Sequence, residues 1–197
     1  MIYNFTGETK GKTSSALGTA FRALGYNKKV RAVFFMKHWN TSETEFIKKL
    51  GDEKLKGLFD IECYKAGDKD FIYIDKEFNN ATLKEVKDTL KFGNVERKDE
   101  ADVEKANRGL KKALSYLEEE PFLLILDELN CAIDFKLLDP GEVCVLLDKA
   151  REQGTHVIIT GRGLHKEIQA RSDLVTEMVK VKHPFDEGIY SVKGLDY

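Results

Sequence analysis

The sequence predicts an α/β fold, a mostly parallel sheet with helices on both faces. Three observations predict it. Strand-like apolar runs alternate with helical patterns along the chain. The run Phe122-Leu123-Leu124-Ile125-Leu126 is apolar without a break, as in a central strand covered on both sides. The stretch from Ile2 to Ser14 reads as a strand, a short polar loop and a helix start, which is the setting a phosphate-binding loop requires.

The first strand stops at Gly7, and Glu8-Thr9-Lys10 leads on to Gly11-Lys12-Thr13. Ala16, Leu17, Ala20, Phe21 and Leu24 then recur on one helix face, with Gly25 at the C-terminal cap. In such a loop the amides and the helix dipole favour an anion at one point. Lys12 adds a mobile cation, and the Thr13 hydroxyl is a ligand for Mg²⁺. The strict pattern G-x-x-x-x-G-K-[ST] places glycine where Thr6 stands, and Gly7 lies one residue closer. A plain turn opening a helix is the bland alternative.

Val30 to Met36 reads as a second buried strand, followed by the loop Lys37-His38-Trp39-Asn40. Loops at the carboxyl ends of parallel strands build ligand sites, so Trp39 is either a ligand contact or a packing residue. A short helix is expected over 43–50 and a half-exposed strand over 59–64. Phe71 and Tyr73 point the same way in an extended segment, which suits a buried strand face as well as a ligand. Residues from about 75 to 98 are charged and lack a clean period, and read as an insertion with a short helix over 83–90. A long helix follows over 99–120, ending before Pro121.

The central strand ends in Asp127-Glu128, where a phosphate-loop enzyme holds and orients Mg²⁺. Pro140 opens a helix that runs to Gln153. The strand His156-Val157-Ile158-Ile159-Thr160 ends in Gly161-Arg162-Gly163. Arg162 is placed there to meet an anion, or it is an exposed residue of a tight turn. A short helix over 164–171 and a last strand over 174–181 complete the pattern, before a polar and aromatic tail.

At 197 residues the chain reads as one domain, 1–197. A net charge of −2 and a pI near 6.1 argue against nucleic acid as a partner. No apolar run is long enough to span a bilayer, and no signal peptide precedes the first strand. Cys63, Cys131 and Cys144 fit neither a disulfide framework nor a zinc site, and read as small core residues of a cytoplasmic protein. The residues thus indicate ATP or GTP with Mg²⁺, without fixing the reaction. Aromatic residues at predicted site loops suit a large, flat second ligand.

Taken in order, the motifs resemble those of the P-loop ATP:corrinoid adenosyltransferases, the cob(I)alamin enzymes of the CobA/BtuR/CobO type. Thr6 to Ser14 is similar to that family's T-G-x-G-K-G-K-T-T loop. Phe35-Met36-Lys37-His38-Trp39 is similar to Q-F-I-K-G-x-W, and Leu126-Asp127-Glu128-Leu129-Asn130 to L-D-E-[IL]-N. Thr160-Gly161-Arg162-Gly163 matches outright, and the carboxyl end from Asp173 to Tyr197 is also similar.

The resemblance implies a RecA-like P-loop NTPase fold. It implies that Co(I) of a corrinoid attacks the 5′ carbon of ATP and triphosphate departs. Thr6, Gly7, Glu8, Thr9, Lys10, Gly11, Lys12, Thr13 and Ser14 would hold the nucleotide, with Arg22, Trp39 and Arg162. Thr13, Asp127 and Glu128 would hold Mg²⁺. Phe71 and Tyr73 stand where an F-x-W pair closes over the corrinoid's lower face. A reductant protein such as a flavodoxin and a homodimer are implied as partners. The chain departs from the family in having Thr9 for a loop glycine and Tyr73 for tryptophan, in its longer insertion, and in lacking an amino-terminal extension that covers the site. A kinase or ATPase on the same scaffold, or a non-enzymatic binding module, are the alternatives, and the phosphate product separates them.

Overall fold

The computed structural model describes residues 1–36, 42–51, 55, 57–64, 71–73, 95–188, 192 and 194–195, with the backbone alone for 48, 50–51, 71–73, 95–97 and 185–186. In chain order the elements are β1 (Ile2–Thr6), α1 (Lys12–Gly25), β2 (Val30–Phe35), α2 (Ser42–Gly51), β3 (Phe59–Tyr64), β4 (Phe71–Tyr73) and β5 (Val95–Arg97). They continue with α3 (Glu100–Leu117), β6 (Leu123–Asp127), α4 (Leu129–Asp134), α5 (Pro140–Glu152), β7 (His156–Thr160), α6 (Lys166–Arg171) and β8 (Leu174–Glu177).

Six strands form one sheet in the order β3-β2-β6-β7-β1-β8, and every pairing in it is parallel. The fold is the α/β P-loop NTPase type that the sequence predicts. β6 lies inside the sheet and all five of its residues are buried, which accounts for its unbroken apolar run.

The alternation of side chains along each strand feeds two cores. Val33, Phe35, Leu124, Leu126, Val157 and Ile159 pack on one face with buried residues of α3, α4, α5 and α6. Ala32, Phe34, Ile125 and Ile158 pack on the other with α1 and Ile47 of α2. Two of the helices over them, α3 and α5, start at side-chain caps. Asp99 and Asp102 form a reciprocal capping box at α3, and Asp139 accepts from the amides of Gly141 and Glu142 at α5, behind Pro140 at its first position.

Three expectations are revised. The last strand stops at Glu177 rather than residue 181, because its partner β1 ends at Thr6, the residue paired with Glu177. A six-residue helix, α4, follows Glu128, where no helix was expected. Part of the expected insertion is regular backbone: β5 pairs with β4 in parallel. The helix expected over 83–90 lies outside the described residues.

Candidate active site

Because the sheet is parallel, β1, β6 and β7 end on the same edge, and the loops that follow them meet there. The β1–α1 loop rests on the end of β8. Met178 N donates to Thr6 O at 2.9 Å. Gly7 has φ 106°, and a Cβ on it would lie 2.3 Å from the carbonyl oxygen of Met178, so no other residue fits.

Lys12 opens α1 yet is only 7% exposed. Its Nζ curls back and donates to Gly7 O at 2.7 Å and Thr9 O at 2.6 Å, closing the loop around the ammonium. Gly11 occupies the N-cap with no side chain to cap the helix. The first amides of α1 are therefore left for an anion, at the positive end of the helix dipole.

Asp127 is fully buried at the end of β6. Its Oδ2 accepts from Thr13 Oγ1 at 3.2 Å, and its Oδ1 accepts from Thr160 Oγ1 at 2.7 Å. The same Thr160 oxygen accepts the amide of Glu128 at 2.9 Å. Glu128 has φ 59°, a left-handed conformation that costs a non-glycine residue roughly 1–2 kcal/mol. Its carboxylate Oε2 accepts from Cys131 Sγ at 2.8 Å, and that sulfur accepts the amide of Arg162 at 3.1 Å. Burial, then the neighbouring charge of Glu128 and the bond to it, push the Cys131 thiol well up, so it keeps its proton and donates.

A second link joins the same loops below the surface. Asn130 Nδ2 donates to Asn4 Oδ1 at 2.9 Å and to Gly161 O at 3.2 Å. Above it, Arg162 Nε lies 3.4 Å from Glu8 Oε2, a pair exposed enough to be worth little in stability.

The structure thus gathers Thr6, Gly7, Glu8, Thr9, Lys10, Gly11, Lys12, Thr13 and Ser14 into one loop and helix start, with Asp127, Glu128 and Arg162 around it. Arg22 does not join them. It sits in the last turn of α1, about 15 Å along the helix axis from Lys12 at a rise of ~1.5 Å per residue. There it lines a cavity of about 330 Å³ with Met1, Phe122 and His156, at the amino ends of the strands. Trp39 lies outside the described residues, and Phe71 and Tyr73 are described as backbone of β4 only. Cys144 is buried, as expected of a small core residue, whereas Cys131 is a hydrogen-bonding member of the site. The sequence reading assigned no site role to Thr160, Cys131, Asn4 or Asn130, although Thr160 and Asn130 stand in the family-like motifs. A hydroxyl closing an otherwise apolar strand, just before glycine, is the signal that Thr160 offered.

Beside this cluster a cavity of about 870 Å³ opens between α3, α4 and the loop after β7, lined by residues that include Asn107, Ile133, Asp134, Gly163 and His165. Among the described residues no group of three or more His, Cys, Asp or Glu side chains is arranged to hold a metal ion by itself. No helix among them is long and apolar enough to cross a membrane.

Fold and site together define an α/β protein of the P-loop NTPase-like type, in which the β1–α1 loop closes on Lys12 and the neighbouring Thr13 meets the buried Asp127 at the sheet's carboxyl edge. The family described as ATP:corrinoid adenosyltransferase BtuR/CobO/CobP matches residues 1–197, and the chain belongs to that family. It is 34% identical over 198 residues to a corrinoid adenosyltransferase of Escherichia coli (strain K12), covering all of this chain and 85% of the relative. It is 32% identical over 198 residues to the corrinoid adenosyltransferase CobA of Salmonella typhimurium, with the same coverage. A corrinoid adenosyltransferase of Sinorhizobium sp is 30% identical over 195 residues, covering 98% of this chain and 78% of the relative. The chain is accordingly a corrinoid adenosyltransferase, and the kinase and binding-module readings are not favoured.

Proposed function

We propose that the protein transfers the 5′-deoxyadenosyl group of ATP to the Co(I) centre of a corrinoid and releases triphosphate. The observation that carries this reading is the β1–α1 loop closed on Lys12, beside the part-buried Thr13–Asp127 pair. Reduced cobalt supplies the electron pair of the new Co–C bond. The C5′–O bond breaks, and its pair leaves on the triphosphate. In this reading Lys12 exchanges the Gly7 and Thr9 carbonyls for phosphate oxygens. Loop amides and the α1 amino terminus stabilise the departing charge, and Lys10 and Ser14 line the same loop.

The Thr13 hydroxyl and the Asp127 and Glu128 carboxylates are hard oxygen donors of the kind Mg²⁺ selects, too few for a closed cage. They fit an ion that shares its coordination with phosphate oxygens, and bound Mg²⁺ would neutralise charge on the leaving triphosphate. Arg162 is proposed to meet the nucleotide after releasing Glu8, and Trp39 to contact it. Phe71 and Tyr73 are proposed to face the corrinoid. A reductant protein such as a flavodoxin, a homodimeric assembly and a cytoplasmic location belong to the same reading and rest on family likeness.

The phosphate product tests it. Protein, Mg·ATP and chemically reduced cob(I)alamin are incubated without oxygen, and the phosphates are separated by anion exchange. Triphosphate in equal amount to adenosylated corrinoid is expected. ADP with orthophosphate as the primary product contradicts the reading.

A further inference from the structure

We propose that Cys131 is a positioning residue for Glu128, orienting its carboxylate before a cation and nucleotide arrive. The proposal rests on the reading of Glu128 as a cation ligand. Cys131 lies three residues beyond Glu128, in the first turns of α4, so its side chain returns to the residue that starts the helix. Its Sγ donates to Oε2 of Glu128 at 2.8 Å and accepts the Arg162 amide at 3.1 Å. A single thiol therefore ties the loop after β6 to the loop after β7 at the carboxylate itself.

The two loops approach closely enough for this only because residue 161 is glycine. A Cβ there, at φ 127°, would lie 2.9 Å from Cys131 N. Glu128 is fixed at its other end by the Thr160 hydroxyl, which accepts its amide at 2.9 Å. With the backbone anchored and Oε2 engaged, the long side chain loses most of its rotamer freedom before the ligand binds. Oε1 keeps its acceptor capacity. The thiol is a neutral donor, so it orients the carboxylate without placing a competing cation beside it.

The test is the Mg²⁺ dependence of ATP binding, followed by calorimetry without corrinoid, in wild type, Cys131→Ala, Cys131→Ser, Glu128→Gln and the Cys131→Ala/Glu128→Gln double variant. Cys131→Ala is expected to raise the Mg²⁺ concentration at half-saturation about three- to tenfold, as for loss of one ordinary hydrogen bond, a thiol being a weak donor. Cys131→Ser keeps a donor and is expected to stay within about twofold of wild type. In the double variant, alanine at 131 adds nothing beyond Glu128→Gln. Cys131→Val repeats the test if the alanine variant fails to fold. An unchanged Mg²⁺ dependence in Cys131→Ala, with a shifted one in Glu128→Gln, overturns the proposal. So does an equal effect of alanine with and without Glu128, which assigns the thiol to packing alone. A Glu128→Gln variant that binds like wild type removes the cation-ligand reading itself, and the proposal with it.

Discussion

The hydroxyl of Thr160 donates to Asp127 Oδ1 across 2.7 Å while accepting the Glu128 amide across 2.9 Å. One buried oxygen on β7 thereby sets the rotamer of the first acidic residue and the left-handed backbone of the second. Thr160→Val keeps the shape and removes both bonds. It removes one donor from a carboxylate that is 0% exposed and is expected to cost about 1–3 kcal/mol in urea denaturation. An unchanged unfolding midpoint contradicts this arrangement.

Gly7 carries the loop over the end of β8. Gly7→Ala would force a Cβ to within 2.3 Å of the Met178 carbonyl at φ 106°. Backbone cannot yield as a side-chain tip can, so the loop must lift from Met178. The expected result is a loss of at least ~2 kcal/mol of stability together with weaker Mg·ATP binding. Thermal melts with and without nucleotide read both effects, and a variant that melts and binds like wild type contradicts the contact.

Asp173 pins the edge strand β8 to β1. Its Oδ2 accepts the Ile2 amide at 2.6 Å and its Oδ1 meets Arg151 at 3.1 Å. The Ile2 bond first, and Arg151 with it, hold this carboxyl below the ordinary value of 3.8. A folded value below the unfolded one means that the bond's contribution is fully present above 3.8 and is lost as pH falls through the folded value beneath it. Asp173→Asn is therefore expected to melt lower than wild type at neutral pH, with the gap closing below 3.8. Melting curves over that range check the sign, and a gap that does not narrow contradicts it.

That the β1–α1 loop and the acidic strand end belong to one site was legible because chemistry and order coincide there: glycine, lysine and threonine between strand and helix, then two carboxylates after an apolar run, and Thr13 meets Asp127. What stayed illegible is contact between distant segments. Cys131 reads in sequence as a small apolar residue, and only the meeting of two loops makes it a donor to Glu128 and an acceptor from Arg162. Arg22 was expected at the nucleotide on the family resemblance, but the helix rise carries it to the far end of the sheet. The end of β8 was overestimated because Val179 and Val181 favour strands, while β1, its partner, has already turned into the loop.

The most direct measurement concerns Lys12. Under anaerobic conditions, reduced cob(I)alamin and Mg·ATP are added to wild type and to Lys12→Ala, and Co–C bond formation is followed in the corrinoid spectrum. Wild type is expected to form adenosylcobalamin, with the rate falling by at least ~10²-fold in the folded variant as charge stabilisation of the leaving triphosphate is lost. A folded Lys12→Ala protein that adenosylates at the wild-type rate would contradict the assignment of this loop to the triphosphate.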